Sequence, residues 1–137
     1  MGSGKRIQYN SFNLKTQEVD IFDMGIDGTE RKLILTLPKS DGSASFSRDG
    51  KKIVFLSTRM TDYTKDFYTM AEVFIMNAVG TNQRQLTKTE TYKDYPTFSP
   101  DGKKILFLSL EKDGRGKGQI MIMNADGSDL KVVTNNY

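Results

Sequence analysis

Short runs of apolar residues, separated by turns rich in glycine, asparagine and aspartate, recur along this 137-residue chain. Near the carboxyl end, residues 105–108 and 120–123 are apolar throughout and do not alternate with polar positions. Runs of this length, with β-branched and aromatic members and turns on either side, predict strands that are covered on both faces. The last third of the chain is therefore predicted to form four strands, at 95–99, 104–110, 119–124 and 130–134.

The predicted strands are joined by tight turns. Residues 99–102, Ser-Pro-Asp-Gly, place proline where φ must be negative and glycine where φ is positive. Residues 47–50 keep the Asp-Gly pair without the proline, and residues 124–127 end in the same pair. We expect the aspartates to accept hydrogen bonds from nearby backbone amides, which gives structural turn roles to Asp49, Gly50, Asp101, Gly102, Asp126 and Gly127.

A twelve-residue phrase at 46–57 returns at 98–109 with ten of its twelve residues identical. Outside this phrase, residues 73–80 match 120–127, and a third, more divergent copy places 5–11 on 51–57 and 21–28 on 73–80. An internal period near 50 residues indicates a repeat architecture. We therefore predict one partial domain, 1–137, with units at 5–37 (lacking its first strand), 43–89 and 92–134.

Covering a small antiparallel unit on both faces requires a neighbouring sheet on each side, which the radial stacking of a β-propeller provides. The phrases FSPDGKKI and IMNADGS, each unit closing on a threonine, resemble the WD-like repeats of TolB-type β-propellers over nearly the whole chain. The resemblance implies an all-β fold of four-stranded antiparallel blades. It also implies that the first strand lies nearest the axis and that turns 47–50, 99–102 and 124–127 share one face. A parallel β-solenoid needs a shorter repeat and is disfavoured.

The number of repeats departs from that family, whose rings usually have six or more blades. About two and three-quarter blades do not close a ring, and open ends expose apolar faces and strand edges. Two interpretations stay open. Identical chains assemble head to tail into a closed ring, most simply a dimer, or the chain is a fragment of a longer propeller.

Composition argues against several function classes. The chain has no histidine and no cysteine, so it lacks the usual general base at neutral pH and any thiolate metal site. We predict no enzyme activity, no cofactor and no metal. The net charge of +3 is small, and lysine pairs lie in the turns at 51–52 and 103–104, which favours a solvated surface over a nucleic-acid interface. The longest apolar runs are far too short to span a membrane, and no signal peptide is visible. The compartment stays open, although the resembled family is largely bacterial and periplasmic.

The connections between the second and third strands differ most between copies. Residues 58–71 carry aromatic side chains beside cations, and residues 112–118 carry three glycines and three cations. Rigid aromatics next to a cation on a loop are typical of a binding surface. The alternative is that these loops pack on their own blade or are solvated. The partner-binding candidates are Arg59, Tyr63, Lys65, Phe67, Tyr68, Arg115 and Lys117.

The predicted function is a non-catalytic binding scaffold that presents loops to a protein or peptide and self-associates. The resemblance supports this, since TolB-type propellers mainly mediate protein–protein contacts in bacterial envelopes. A second hypothesis is the propeller part of a larger hydrolase or lyase, because similar repeats occur in prolyl-oligopeptidase-like hydrolases and in some polysaccharide lyases. A third is a structural or engineered assembly unit.

Overall fold

The computed structural model describes residues 6–37, 41–59, 71–89, 91–110 and 118–134. These residues form eleven strands and no helix. The strands are β1 (Arg6–Asn13), β2 (Glu18–Gly25), β3 (Lys32–Leu37), β4 (Asp41–Phe46), β5 (Lys52–Ser57), β6 (Glu72–Asn77), β7 (Arg84–Gln85), β8 (Tyr92–Phe98), β9 (Lys104–Leu110), β10 (Gln119–Asn124) and β11 (Lys131–Val132). None of the described residues belongs to a helix long and apolar enough to cross a membrane.

The strands form three antiparallel sheets in which each strand pairs with its neighbours in sequence. We call these sheets blade 1 (β1-β2-β3), blade 2 (β4-β5-β6-β7) and blade 3 (β8-β9-β10-β11). Blade 1 has three strands, and its first strand is equivalent to the second strand of the other blades. The predicted fold class, all-β with four-stranded antiparallel propeller blades, is confirmed.

Blade 2 is covered on both faces, as its uninterrupted apolar runs predict. In β5, Ile53 and Phe55 pack towards blade 1, in a cluster with Val19 and Ile21. The intervening Val54 packs towards blade 3, in a second cluster. Successive side chains of a strand point to opposite faces of a sheet, so each four-residue apolar run supplies two cores. The protein is held together by these two inter-blade layers.

Two strands of blade 3, β8 and β11, have bounds that differ from the predicted 95–99 and 130–134. β8 begins at Tyr92 rather than residue 95, because a register shift between Asp94 and Thr97 allows the strand to continue past Pro96. Tyr95, within this bulge, has a positive φ of 51°. The outermost strand contains only Lys131–Val132 rather than 130–134. Beyond β11, the Thr134 hydroxyl accepts a hydrogen bond from Ile120 N at 3.0 Å, in place of the backbone carbonyl that a longer strand would offer to β10.

Candidate functional site

The turns between the first and second strands have the same hydrogen bonds in blades 2 and 3. Ser47 Oγ donates to Asp49 Oδ1 at 2.6 Å, and Lys51 N donates to the same oxygen at 3.0 Å. In blade 3, Ser99 Oγ and Lys103 N donate to Asp101 Oδ1 at 2.6 and 3.0 Å. Each serine hydroxyl also accepts a bond from the backbone N–H five residues later, at 2.9 Å.

These bonds act on the charge of the turn carboxylates. The serine hydroxyl first, and the lysine backbone N–H second, lower the pKa of Asp49 and of Asp101 below the usual aspartate value. These bonds therefore favour the ionised form of both carboxylates, which stays charged to lower pH than an unbonded aspartate. Gly50 and Gly102 adopt φ of 70° and 72°, a region that side chains with a Cβ rarely occupy. The Asp-Gly pair is thus required by the turn geometry itself.

The turns between the third and fourth strands use a second aspartate motif. Asp126 Oδ1 accepts bonds from Ser128 Oγ at 2.6 Å and Ser128 N at 2.9 Å, and Gly127 has a φ of 90°. The Ser128 bonds, hydroxyl first, lower the pKa of Asp126. In blade 1, Asp27 receives the same two bonds from Thr29. Blade 2 has Val79 at this position, so its turn has no carboxylate cap.

An open groove of about 1050 Å³ lies between blades 2 and 3 and is bordered by the turns 47–50, 99–102 and 124–127. The turns 47–50, 99–102 and 124–127 therefore lie on one face, as the family resemblance implies. The groove is lined by apolar and charged groups, including Met76, Phe98, Arg48, Lys51 and Arg84.

Two of the cations that line the groove make hydrogen bonds that stabilise the blades. Arg84 Nη1 donates to the Asp126 carbonyl at 2.7 Å, which bridges blade 2 to blade 3. Lys52 Nζ donates to Asn77 Oδ1 at 2.7 Å within blade 2. Among the described residues, the side chains of Arg48 and Lys51 make no hydrogen bond, although the charge of Lys51 acts on the nearby Asp49 carboxylate.

Most of the predicted partner-binding residues lie outside the described residues: Tyr63, Lys65, Phe67, Tyr68, Arg115 and Lys117. Arg59 is described, and its side chain packs on its own blade. Arg59 Nε donates to Ser57 Oγ at 2.8 Å, and Nη1 donates to Gln83 Oε1 at 2.6 Å. Its guanidinium carbon lies 5.6 Å from the ring centre of Phe55 and 5.2 Å from that of Phe74.

The structure also shows a buried ion pair that the sequence interpretation missed. Lys93, on β8 and only 1 % exposed, places Nζ 3.1 Å from Glu72 Oε2 of blade 2. Lys93 Nζ also donates to the carbonyls of Thr91, Ala71 and Thr89, at 2.9, 3.3 and 3.3 Å.

The carboxylate partner is equally well bonded. Glu72 accepts further bonds from Thr87 Oγ1 and from Thr89 N, the latter at 2.9 Å. One sequence signal was available: Glu72 interrupts the apolar run 71–76, and a carboxylate within a buried strand requires a partner.

In the part of the chain that the structure describes, no three acidic side chains converge to hold a metal ion. In the oxygen-rich segment 124–129, Asp126 Oδ1 instead binds the Ser128 hydroxyl and backbone N–H of its own turn.

Comparisons with known proteins agree with the propeller fold. The family model of the TolB beta propeller domain matches residues 2–137. Among curated proteins, dipeptidyl-peptidase 5 of Porphyromonas gingivalis is 34% identical over 71 residues, which cover 51% of this chain and 10% of that protein. Dipeptidyl-peptidase 5 of Porphyromonas endodontalis is 32% identical over 79 residues, covering 56% of this chain and 11% of that protein. The matched region thus spans only about a tenth of these relatives.

Solved structures support the fold. A protein described as a TolB from Agrobacterium tumefaciens superposes with a TM-score of 0.72 at 20% identity, covering 96% of this chain and 46% of that one. TolB from Acinetobacter baumannii gives 0.65 at 23% identity, covering 96% and 30%. The β-propeller domain of the Trilobed protease from Pyrococcus furiosus gives 0.60 at 16% identity, covering 93% and 38%. With its repeated Asp-Gly turns, its stacked antiparallel sheets and a family match over almost its whole length, the chain belongs to the TolB beta propeller domain family.

Proposed function

We propose that this chain is a non-catalytic propeller module that associates with itself through its two end blades and binds a protein partner. The observation that supports self-association is the apolar outer face of blade 3. It carries Leu106, Leu108, Ile120 and Ile122, all partly exposed. Their equivalents in blade 2 are Val54, Leu56, Val73 and Ile75, which are buried against blade 3.

The outer face of blade 1 has the complementary composition. Ile7, Tyr9, Phe22 and Met24 occupy the positions of Ile53, Phe55, Phe74 and Met76, the residues with which blade 2 packs onto blade 1. Tyr9 and Phe22 stack with ring centres 5.5 Å apart, and the equivalent rings of Phe55 and Phe74 lie 5.7 Å apart in a tilted arrangement. The two ends are therefore unlike, and each resembles one half of an existing blade junction. Such unlike faces suit head-to-tail association, which forms a closed ring when the rotation between successive copies closes.

The experiment is a measurement of mass in solution by light scattering across a range of concentrations. We expect a multiple of the 15.5 kDa chain, most simply a dimer. Leu108→Lys places a charge on the outer face of blade 3 and should yield monomers. Val79→Lys, at an exposed site of a turn, is the matched control and should leave the mass unchanged. A folded wild-type monomer at every concentration would refute self-association.

Partner binding needs its own test, because it rests on the loop candidates and on the cations that line the groove. Affinity capture of partners would be compared between the wild type and a variant with Tyr63, Phe67 and Tyr68 replaced by alanine. Loss of a partner in that variant would support the loop surface. The same loss with Arg48→Ala and Lys51→Ala, but with the loop intact, would place the partner at the groove.

A specific observation favours a second candidate, the propeller part of a larger peptidase. The curated relatives at 34% and 32% identity are both dipeptidyl-peptidases about ten times longer than the matched region. The two candidates differ in the native product. Mass spectrometry of the protein from its natural source would find these peptides in a much longer chain under the peptidase proposal, and in a chain of this size under the self-association proposal.

A further inference from the structure

The groove between blades 2 and 3 has walls of opposite charge. The lining residues from blade 2 include four cations and one carboxylate: Arg48, Lys51, Lys52, Arg84 and Asp49. The lining residues from blade 3 include two carboxylates, Asp101 and Asp126, and no cation. Most of the remaining lining is apolar and includes Phe98 and Pro100. A ligand in this groove therefore meets mainly positive charge on the blade 2 side and negative charge on the blade 3 side.

The repeat itself does not require this charge pattern. Blade 2 has Val79 where blade 3 has Asp126, and blade 3 has Pro100 where blade 2 has Arg48. The turns keep the same backbone despite these differences, since Gly80 N donates to Asn77 O at 2.9 Å as Gly127 N donates to Asn124 O at 2.8 Å. The charges of Arg48 and Asp126 are therefore not needed to form the turns that carry them.

The carboxylates of the blade 3 wall each keep one oxygen available. Their turns use only Oδ1, which accepts the bonds from Ser99 and Lys103 in Asp101 and from Ser128 in Asp126. Within the part of the chain that the structure describes, Oδ2 of either aspartate accepts no hydrogen bond, and both side chains are exposed. The turn bonds lower the pKa of both groups and so favour the charged form. The negative wall can thus accept bonds from a cation without disrupting its turns.

We propose that this groove binds an extended peptide in which acidic and basic residues alternate, with the acidic side chains towards blade 2 and the basic side chains towards blade 3. Successive side chains of an extended chain point in opposite directions, so one such segment presents opposite charges to the two walls. Charge complementarity of this kind selects the partner and fixes its register. The inference rests on the proposed binding of a protein partner and specifies its chemistry. It does not depend on self-association, because both walls belong to one chain.

The probe is a short synthetic peptide of alternating glutamate and lysine, titrated into the isotope-labelled full chain and followed by NMR at physiological ionic strength, where distant charges are screened. Backbone amide shifts should saturate at Arg48, Lys51, Gly102 and Asp126. The comparison peptides have the same composition in two blocks, or contain glutamate alone or lysine alone. We expect the alternating peptide to bind about threefold or more tighter than each of them. Equal binding by a comparison peptide, or no saturable shift in the groove, would overturn the proposal.

The protein variants remove single charges from each wall. Asp126→Asn keeps an oxygen that can accept the Ser128 bonds, and Arg48→Gln lies where blade 3 has proline, so both should retain the turns. Each should weaken the alternating peptide about threefold, and the double variant about tenfold. Lys15→Gln removes an exposed cation from the β1–β2 turn, outside the groove, and should leave the affinity unchanged. Unchanged binding by the double variant would overturn the proposal.

The failure of this inference differs from that of the proposed function. If a captured partner is lost in the triple loop variant while the alternating peptide does not bind in the groove, the chain binds a protein partner and the groove is not the site. If the peptide saturates the groove and the double variant weakens it, the charge pattern of the groove is established as a recognition surface.

Discussion

The ion pair between Lys93 and Glu72 should be one of the strongest single links between blades 2 and 3. Replacing Lys93 by methionine keeps the aliphatic volume but removes the ammonium group. At 3.1 Å and an effective dielectric constant near 20, the attraction is about 5 kcal/mol, which desolvation of both groups largely offsets. The larger loss arises because Glu72 remains buried without its cation and three carbonyls lose a donor. We expect unfolding free energy to fall by about 3 kcal/mol.

The assay is urea unfolding followed by fluorescence or circular dichroism, read as a double-mutant cycle. Glu72→Gln should cost less, because its amide oxygen can still accept the Thr89 N–H and because the lowered pKa of Lys93 reduces the cost of its losing a proton. The double variant should lose less than the sum of the two single losses, with a coupling of about 1–3 kcal/mol. A Lys93→Met loss below about 1 kcal/mol, or a coupling near zero, would refute this account.

The same pair makes a pH prediction. Burial lowers the pKa of Lys93 below the usual lysine value of 10.5, although the Glu72 charge opposes that shift. Between the folded and unfolded values the unfolded chain binds more protons, so this group's contribution to stability rises with pH in the window just below 10.5. The wild type should therefore gain stability relative to Lys93→Met as pH rises through that window. An unchanged difference from pH 7 to 10.5 would contradict the prediction.

Three further predictions concern the turns and bulges. Val79→Asp should raise the thermal midpoint by a few degrees, because Thr81 can donate to the new carboxylate as Ser128 does to Asp126. Calorimetry measures the midpoint, and Val79→Ala is the control. Tyr95→Asn should stabilise the protein by about 0.5–1 kcal/mol in urea unfolding, because Tyr95 is exposed and held at a φ of 51° that asparagine adopts more readily; a loss of stability would contradict this. Ser99→Ala should raise the pKa of Asp101, measured by NMR titration, while the pKa of Asp49 stays unchanged. The lowered pKa means that the carboxylate's contribution is present above pH 3.8 and is lost as pH falls through the folded value.

Much of the fold could be predicted from local pattern. The strands at 104–110 and 119–124 were predicted with the bounds that the structure shows. Their apolar runs and flanking turns are properties of neighbouring residues, which the sequence displays directly. The start of β8 could not be predicted in this way. It depends on a bulge at Tyr95 and on pairing with β9, and both are set by the partner strand.

The candidate site was less predictable than the fold. The loop residues chosen for partner binding lie mostly outside the described residues, and Arg59 bonds to Ser57 and Gln83 of its own blade. The groove between blades 2 and 3 brings together turns about 50 residues apart in sequence. Its shape follows from how the blades stack, which no local pattern specifies.

The sequence by itself determined the repeat, the Asp-Gly turns and the two-sided burial of the central strands. The repeat is visible in residue identities alone, and the turns and the burial follow from side-chain chemistry within about a dozen residues. Only the tertiary structure decided which polar groups meet between blades. Lysine side chains are usually exposed, yet the stacking of β8 against blade 2 buries Lys93 beside Glu72. The exposure of Ile7 has the same origin: its equivalents Ile53 and Ile105 are each buried against a neighbouring blade, and among the described residues no blade covers the outer face of blade 1.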